Sequence, residues 1–180
     1  SIDQLRALLP SAGALGAQGT IANGTVVQSG GQIDAAGFTF GQEVLTISGT
    51  GIGGTGAAIS SAGTGVQNTF KNLILAADAT VGTTLSGGQF GITNGFIQGN
   101  GRNLTVNMSG GGNGYMWMVS SVLDNLPLVT LANSSSHLVV ANMSFGSTVL
   151  TTTGATDVQL RMGTLGAVNL GVNARLNAAT

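Results

Sequence analysis

The sequence predicts an all-β fold, a parallel β-helix (β-solenoid) with a short helical cap or arm at its N-terminus. Three observations predict it. Short apolar segments recur at regular intervals. The breaks between them are rich in Gly, Asn and Ser. Bulky core residues are scarce, with six Phe, one Tyr and one Trp in 180 residues. Gly contributes 31 residues and Pro only two. Gly costs about 1 kcal/mol relative to Ala inside a helix, and the abundant Thr, Val, Ser and Asn are poor helix formers as well. The same residues suit short strands joined by turns. Hydrophobic residues reach 42%, enough to build a core, while charged residues are only 6% against roughly 25% in an average soluble domain.

Residues 1–12 read as the cap or arm and residues 13–180 as the solenoid. Ser1 and Gln4 stand at capping-box spacing, and Ile2, Leu5, Leu8 and Leu9 share one helical face before Pro10 stops the helix. Solenoids need capped ends, so this segment is expected to cover one end or to dock on a neighbouring molecule. Ile2, Leu5, Leu8 and Leu9 are thus the candidate end-to-end assembly residues. Candidate strands in the first two thirds are 25–28, 38–40, 44–48, 73–76, 90–92, 104–108 and 115–119.

The last third is more regular. Leu128-Val129-Thr130-Leu131, Leu138-Val139-Val140-Ala141 and Thr148-Val149-Leu150-Thr151 start ten residues apart, and the segments at 158–160 and 168–170 continue the spacing. Leu45-Thr46-Ile47, Leu73-Ile74-Leu75 and Leu104-Thr105-Val106 lie 28 and 31 residues apart. Two or three strands per turn would produce both spacings, giving about 5–8 coils and a rod of roughly 25–40 Å at about 4.8 Å per coil. A β-sandwich or Greek-key barrel also has strands at such intervals. The shortage of aromatic bulk favours the narrower solenoid interior.

Several of these strings resemble the passenger-associated repeats of bacterial autotransporters. They are Leu45-Thr46-Ile47-Ser48-Gly49-Thr50-Gly51, Asn68-Thr69-Phe70, Leu73-Ile74-Leu75-Ala76-Ala77-Asp78-Ala79-Thr80-Val81-Gly82 and Asn103-Leu104-Thr105-Val106-Asn107, with a related tail from Ala167 to Leu176. The resemblance covers roughly residues 44–177. It implies a right-handed parallel β-helix, an outer-surface or secreted location, and a role in adhesion or display. Residues 115–131 depart from the repeat, and no translocator-barrel pattern follows it.

Composition narrows the function classes. Net charge is −1, and Arg6, Lys71, Arg102, Arg161 and Arg175 are scattered, so no basic stripe suits nucleic acid or an anionic membrane. Apolar runs such as Leu138-Val139-Val140-Ala141 are far too short to cross a bilayer as helices. No Cys and no secretory leader pattern are read, so an extracellular location is expected from composition and resemblance.

Motifs for chemistry are sparse. Gly49-Thr50-Gly51-Ile52-Gly53-Gly54 satisfies G-x-G-x-x-G after a strand, but residues 55–65 lack the helical periodicity that dinucleotide binding requires. Gly53-Gly54-Thr55-Gly56 and Gly111-Gly112-Asn113-Gly114 lack the Asp of calcium-binding β-rolls. Asp3, Asp34, Glu43, Asp78, Asp124 and Asp157 are dispersed, although coiling would bring Asp124 and Asp157 together in one possible winding. Most are expected to cap turns. His137 follows Ser134, Ser135 and Ser136 without a nucleophile elbow. Thr151-Thr152-Thr153 hints at an ice- or surface-binding face, but no regular T-x-T ladder is read.

Tyr115-Met116-Trp117-Met118 is the most distinctive string. In a strand Tyr115 and Trp117 share one face, as a broad piece of core or cap if buried, and as a sugar-stacking or protein-anchoring pair if exposed. The expectation is therefore a non-catalytic extracellular structural or adhesive β-helix with no cofactor or metal. It would act as an adhesin segment or as a fibre subunit that self-associates end to end through its unpaired edges. The alternative is a carbohydrate-active or carbohydrate-binding β-helix protein, since the fold hosts both.

Overall fold

Alternation of apolar and polar residues commits each strand to one inward row of side chains, and the chain buries all of these rows by coiling. The computed structural model describes residues 6–8, 10–11, 14–15, 24–62, 69–110, 114–132, 136–153, 157–161, 167–169 and 175–179. Every strand pairing among them is parallel. Three stacked faces result. The first holds β2 (Thr25–Val27), residues 44–47 of β4 (Phe40–Gly49), residues 72–74 of β6 (Phe70–Thr83), β8 (Phe96–Gln98) and β11 (Val122–Asp124). The second holds β1 (Arg6–Leu8), β3 (Gln32–Asp34), β5 (Ala58–Ser60), residues 79–83 of β6, β9 (Leu104–Asn107), β12 (Leu128–Leu131), β14 (Val149–Thr152) and β16 (Val168–Asn169). The third holds β7 (Gln89–Thr93), β10 (Gly114–Val119), β13 (Ser136–Ala141), β15 (Asp157–Arg161) and β17 (Arg175–Ala179). Eight strands at about 4.8 Å make the second face roughly 34 Å deep, within the expected rod length.

The ten-residue recurrence has a simple origin. Past β11 no first-face strand is described, and the chain alternates between the second and third faces: β12, β13, β14, β15, β16, β17. Two described strands then fall in each turn, so neighbours ten residues apart lie on different faces. Turn length shrinks accordingly. It runs from 25 residues between Val81 and Val106 to 18 between Val158 and Leu176. The looser set in the first half is corrected in one member: Leu45 and Leu73 are true equivalents, but Leu73 pairs with Ile97, whereas Leu104 pairs with Ala79 on the second face.

The N-terminal expectation is also corrected. Arg6–Leu8 is strand, paired in register with Gln32–Asp34, and no helix covers these residues. A helix there would leave one edge of β3 without partners for its N–H and C=O groups, and an isolated helix of under ten residues is marginal in water. Leu8 is 60% exposed on that strand, while Ile2, Leu5 and Leu9 lie outside the described residues.

Inward positions repeat from turn to turn, so the core is a set of columns. Phe40 stacks on Phe70 at 5.5 Å between ring centroids, and Phe70 meets Phe90 at 6.1 Å. The third face continues as Phe90–Met116–Leu138 and Ile92–Met118–Val140, all fully buried. Leu45–Leu73–Ile97 on the first face and Leu104–Val129–Leu150 on the second do the same. Buried hydroxyls bond to carbonyls about one turn away: Thr83 Oγ1 donates to Ser60 O at 2.6 Å, Thr148 Oγ1 to Leu126 O at 2.7 Å and Ser121 Oγ to Ile92 O at 3.1 Å.

Corners are set by left-handed residues. Asn94, Ser120 and Asn142, at φ of 54°, 49° and 51°, directly follow β7, β10 and β13. Their stacking is bonded too, with Asn94 N–H donating to Val119 O and Ser120 N–H to Ala141 O at 2.9 Å. Asn tolerates this conformation because its short polar side chain bonds locally. Close approach matters at Gly82, where a Cβ would stand 1.8 Å from Asn107 O of the next turn.

Phe70 joins the rings on either side of it, so Phe70→Ala is expected to destabilise the coil by about 3–5 kcal/mol in urea unfolding. A loss under about 1 kcal/mol would mean that the phenylalanine column does not support the first turns.

Candidate functional site

The outward side of the third face carries the most distinctive chemistry. Burial along β10 alternates strictly, with Met116 and Met118 fully buried and Tyr115 and Trp117 partly exposed on the outer side. The alternation expected from the tetrapeptide is thus observed, and the aromatic pair is neither core nor end cap. Register brings it new neighbours. Tyr115 lies between Gln89 on β7 and His137 on β13, and Trp117 lies between Gly91 and Val139.

The rings form a cluster. Tyr115 and His137 stack with centroids 4.5 Å apart and planes 15° apart, while Tyr115 and Trp117 lie 5.8 Å apart at 23°. Trp117 Nε1–H donates to Gln89 Oε1 at 3.0 Å, which fixes the indole against the strand below. Gly91 adds no side chain beside the indole, and Val139, although at an outward register position, is fully buried. The chain's one Trp, one Tyr and one His therefore meet on a single patch. Their approach was not legible beforehand, because the separations of 26 residues from Gln89 to Tyr115 and 22 from Tyr115 to His137 follow no fixed period.

The acids behave differently. Asp34 is fully buried, and its Oδ1 accepts the backbone N–H of Ala36 and of Ser61, each at 2.9 Å. Asp78 accepts the backbone N–H of Asn103 at 2.9 Å. Glu43 is buried in β4, where its Oε1 accepts a hydrogen bond from Thr25 Oγ1 at 2.6 Å while Oε2 has no partner among the described residues. Asp124 lies on the first face and Asp157 on the third, so the coil does not bring them into one ladder; Asp157 is instead in register with His137. Ser136 is in register with Gly114, and Ser134 and Ser135 lie outside the described residues. No group of three or more His, Asp or Glu among the described residues is placed to hold a metal ion.

Two further surfaces were expected weakly or not at all. Thr80, Thr105, Thr130 and Thr151 occupy one outward column of the second face, one residue per turn. The regularity runs along the axis, across turns, and so escapes a search for T-x-T within one strand. The loop at 50–56 folds over the N-terminal part of this column. Asn107 Nδ2 donates to Gly54 O at 2.8 Å, and Thr80 is buried. This loop is the G-x-G-x-x-G string; it forms a short 3-10 turn at Ile52–Gly54 and leads into β5, with no helix at residues 55–62. Near the first turns an open cavity of about 400 Å³ is lined by residues including Thr25, Val27, Gln32 and Ile33.

Asp34→Ala removes the acceptor of two backbone donors that tie successive turns, and a loss of about 1.5–3 kcal/mol is expected by chemical denaturation. Asp34→Asn keeps a carbonyl acceptor and is expected to lose less than half as much. Equal losses would show that charge, and not the bridging acceptor, holds the corner.

No described helix is long and apolar enough to cross a membrane. No protein-family model, curated protein or solved structure matches the chain.

Proposed function

We propose that the chain is a non-catalytic structural and adhesive β-helix, right-handed, that serves on a bacterial outer surface or in secreted form as an adhesin segment or fibre subunit. The observation that carries this reading is the unbroken parallel ladder, eight strands deep on one face, whose inward columns are closed and apolar from turn to turn. A ladder of this kind supplies length and rigidity while leaving its outer rows free to vary. Right-handedness follows the general preference of parallel crossover connections. Asp34 and Asp78 are tied to backbone donors at corners, which suits a scaffold better than acid–base work.

The last described strand offers an edge on which a further strand could stack. Leu176 follows Met116, Leu138 and Val158 in register, yet it is 43% exposed, whereas Met116 and Leu138 are fully buried. Among the described residues β17 is bonded along one edge only, to β15. A further parallel strand there, from a following coil or from a second copy, would bury Leu176 and satisfy that edge.

Electron microscopy of the purified chain is expected to show rods of uniform width that lengthen as concentration rises. Leu176→Lys is expected to shorten them without changing the circular dichroism. Compact particles, or sedimentation that stays monomeric over a hundredfold concentration range, would overturn the fibre reading.

A further inference from the structure

We propose that the ring cluster of Tyr115, Trp117 and His137, with Gln89 beside it, is a binding site for an uncharged saccharide. The inference rests on the adhesive reading above and gives that adhesion a ligand.

Placement is the first argument. Only alternate residues of a strand need to be apolar for the coil to close, and Met116 and Met118 already fill the inward positions of β10. Tyr115 and Trp117 are therefore not required for the core. On the outer face, most described residues of other strands are Thr, Gln, Asn or small residues, as in the column Thr105–Thr130–Thr151. Large rings kept partly exposed at such positions are the residues that anchor ligands and partners.

Rigidity is the second. The indole is held by its N–H to Gln89 Oε1, and Tyr115 stacks with His137 at 4.5 Å and with Trp117 at 5.8 Å. The bond to Trp117 uses the carbonyl oxygen of Gln89. The amide nitrogen of the same side chain makes no hydrogen bond within the described protein and carries two donors. A fixed ring face beside a fixed amide donor matches a sugar, which presents an apolar C–H face and hydroxyl acceptors at its edge. Preorganisation of this kind lowers the ordering cost of binding.

Charge and size select the class. The polar groups at the cluster are an amide and an imidazole, and further along the same column the register places Asp157 and then Arg175, one acid and one base. The cluster offers no excess positive charge for a phosphate or a polyanion. A stable protein partner needs about 800 Å² on each side, far more than three partly buried rings provide. A neutral saccharide bound weakly and repeatedly along an assembled rod fits this small area, because linked copies raise avidity without new contacts.

The test uses Trp117 itself, the only Trp in the chain, as the reporter. The purified chain is titrated with neutral oligosaccharides of the gluco, manno, galacto and N-acetylglucosamine series while indole emission is followed. The result expected is a saturable emission change in the millimolar range or tighter for at least one series. In Gln89→Ala, which keeps the rings, affinity is expected to fall severalfold. In Tyr115→Ala it is expected to fall at least tenfold, read by calorimetry and with the circular dichroism retained. Several outcomes would overturn the assignment. They are the absence of saturable binding in all series, binding only of acidic saccharides, or neutral-sugar binding unchanged in both variants. Rods that form normally while no sugar binds would remove this site and leave the scaffold reading standing; sugar binding by a compact particle would do the reverse.

Discussion

Each strand of this molecule is completed by the strand one turn later, and that dependence governs the rest. A parallel ladder carries its hydrogen bonds to a neighbour some 18–30 residues away in sequence, so no turn is stable by itself. Stacking then places like on like. A position that is Phe in one turn faces Phe in the next, as at Phe40, Phe70 and Phe90, or an aliphatic residue of comparable reach, as at Met116 and Leu138. The corners obey the same rule, since left-handed Asn94, Ser120 and Asn142 bend the chain after equivalent strands, and the first two donate to the turn that follows.

Narrowing of the coil follows from the same dependence. Turns that include a described first-face strand run 20–30 residues, as from Thr25 to Leu45 and from Phe40 to Phe70, whereas those past β11 run 18–21. The wide turns accommodate the phenylalanine column, and the narrow ones are lined by Leu138 and Val140.

These relations explain what the sequence made legible. A four-residue alternation such as Leu128-Val129-Thr130-Leu131 announces a strand and its buried face, and its recurrence announces a coil. Three-residue strands such as Gln32–Asp34, Ala58–Ser60 and Val122–Asp124 are too short to show a period, and all three went unread. Ile2, Leu5, Leu8 and Leu9 spelled a helical face, but residues 6–8 pair with an open strand edge, because unmet backbone groups outweigh a weak local preference. Tyr115 and Trp117 were legible as a same-face pair. Gln89 and His137 were not, since their proximity depends on the lengths of two particular turns.

The same contrast separates structure from function along every strand. Inward residues are constrained by the turn before and the turn after, so their identity reports packing. Outward residues meet water on one side, and β-propensity with cross-strand pairing accounts for rows such as Thr105, Thr130 and Thr151. Neither pressure calls for Trp, Tyr and His at one place in a chain with one of each. The Gln89 bond to Trp117 adds a second indication, since orienting an outward, partly exposed indole contributes little to a core that Met116 and Met118 already fill. An outer-face feature that folding does not require, held rigid by a polar side chain from the adjacent turn, is what makes this patch the place to test the proposed recognition.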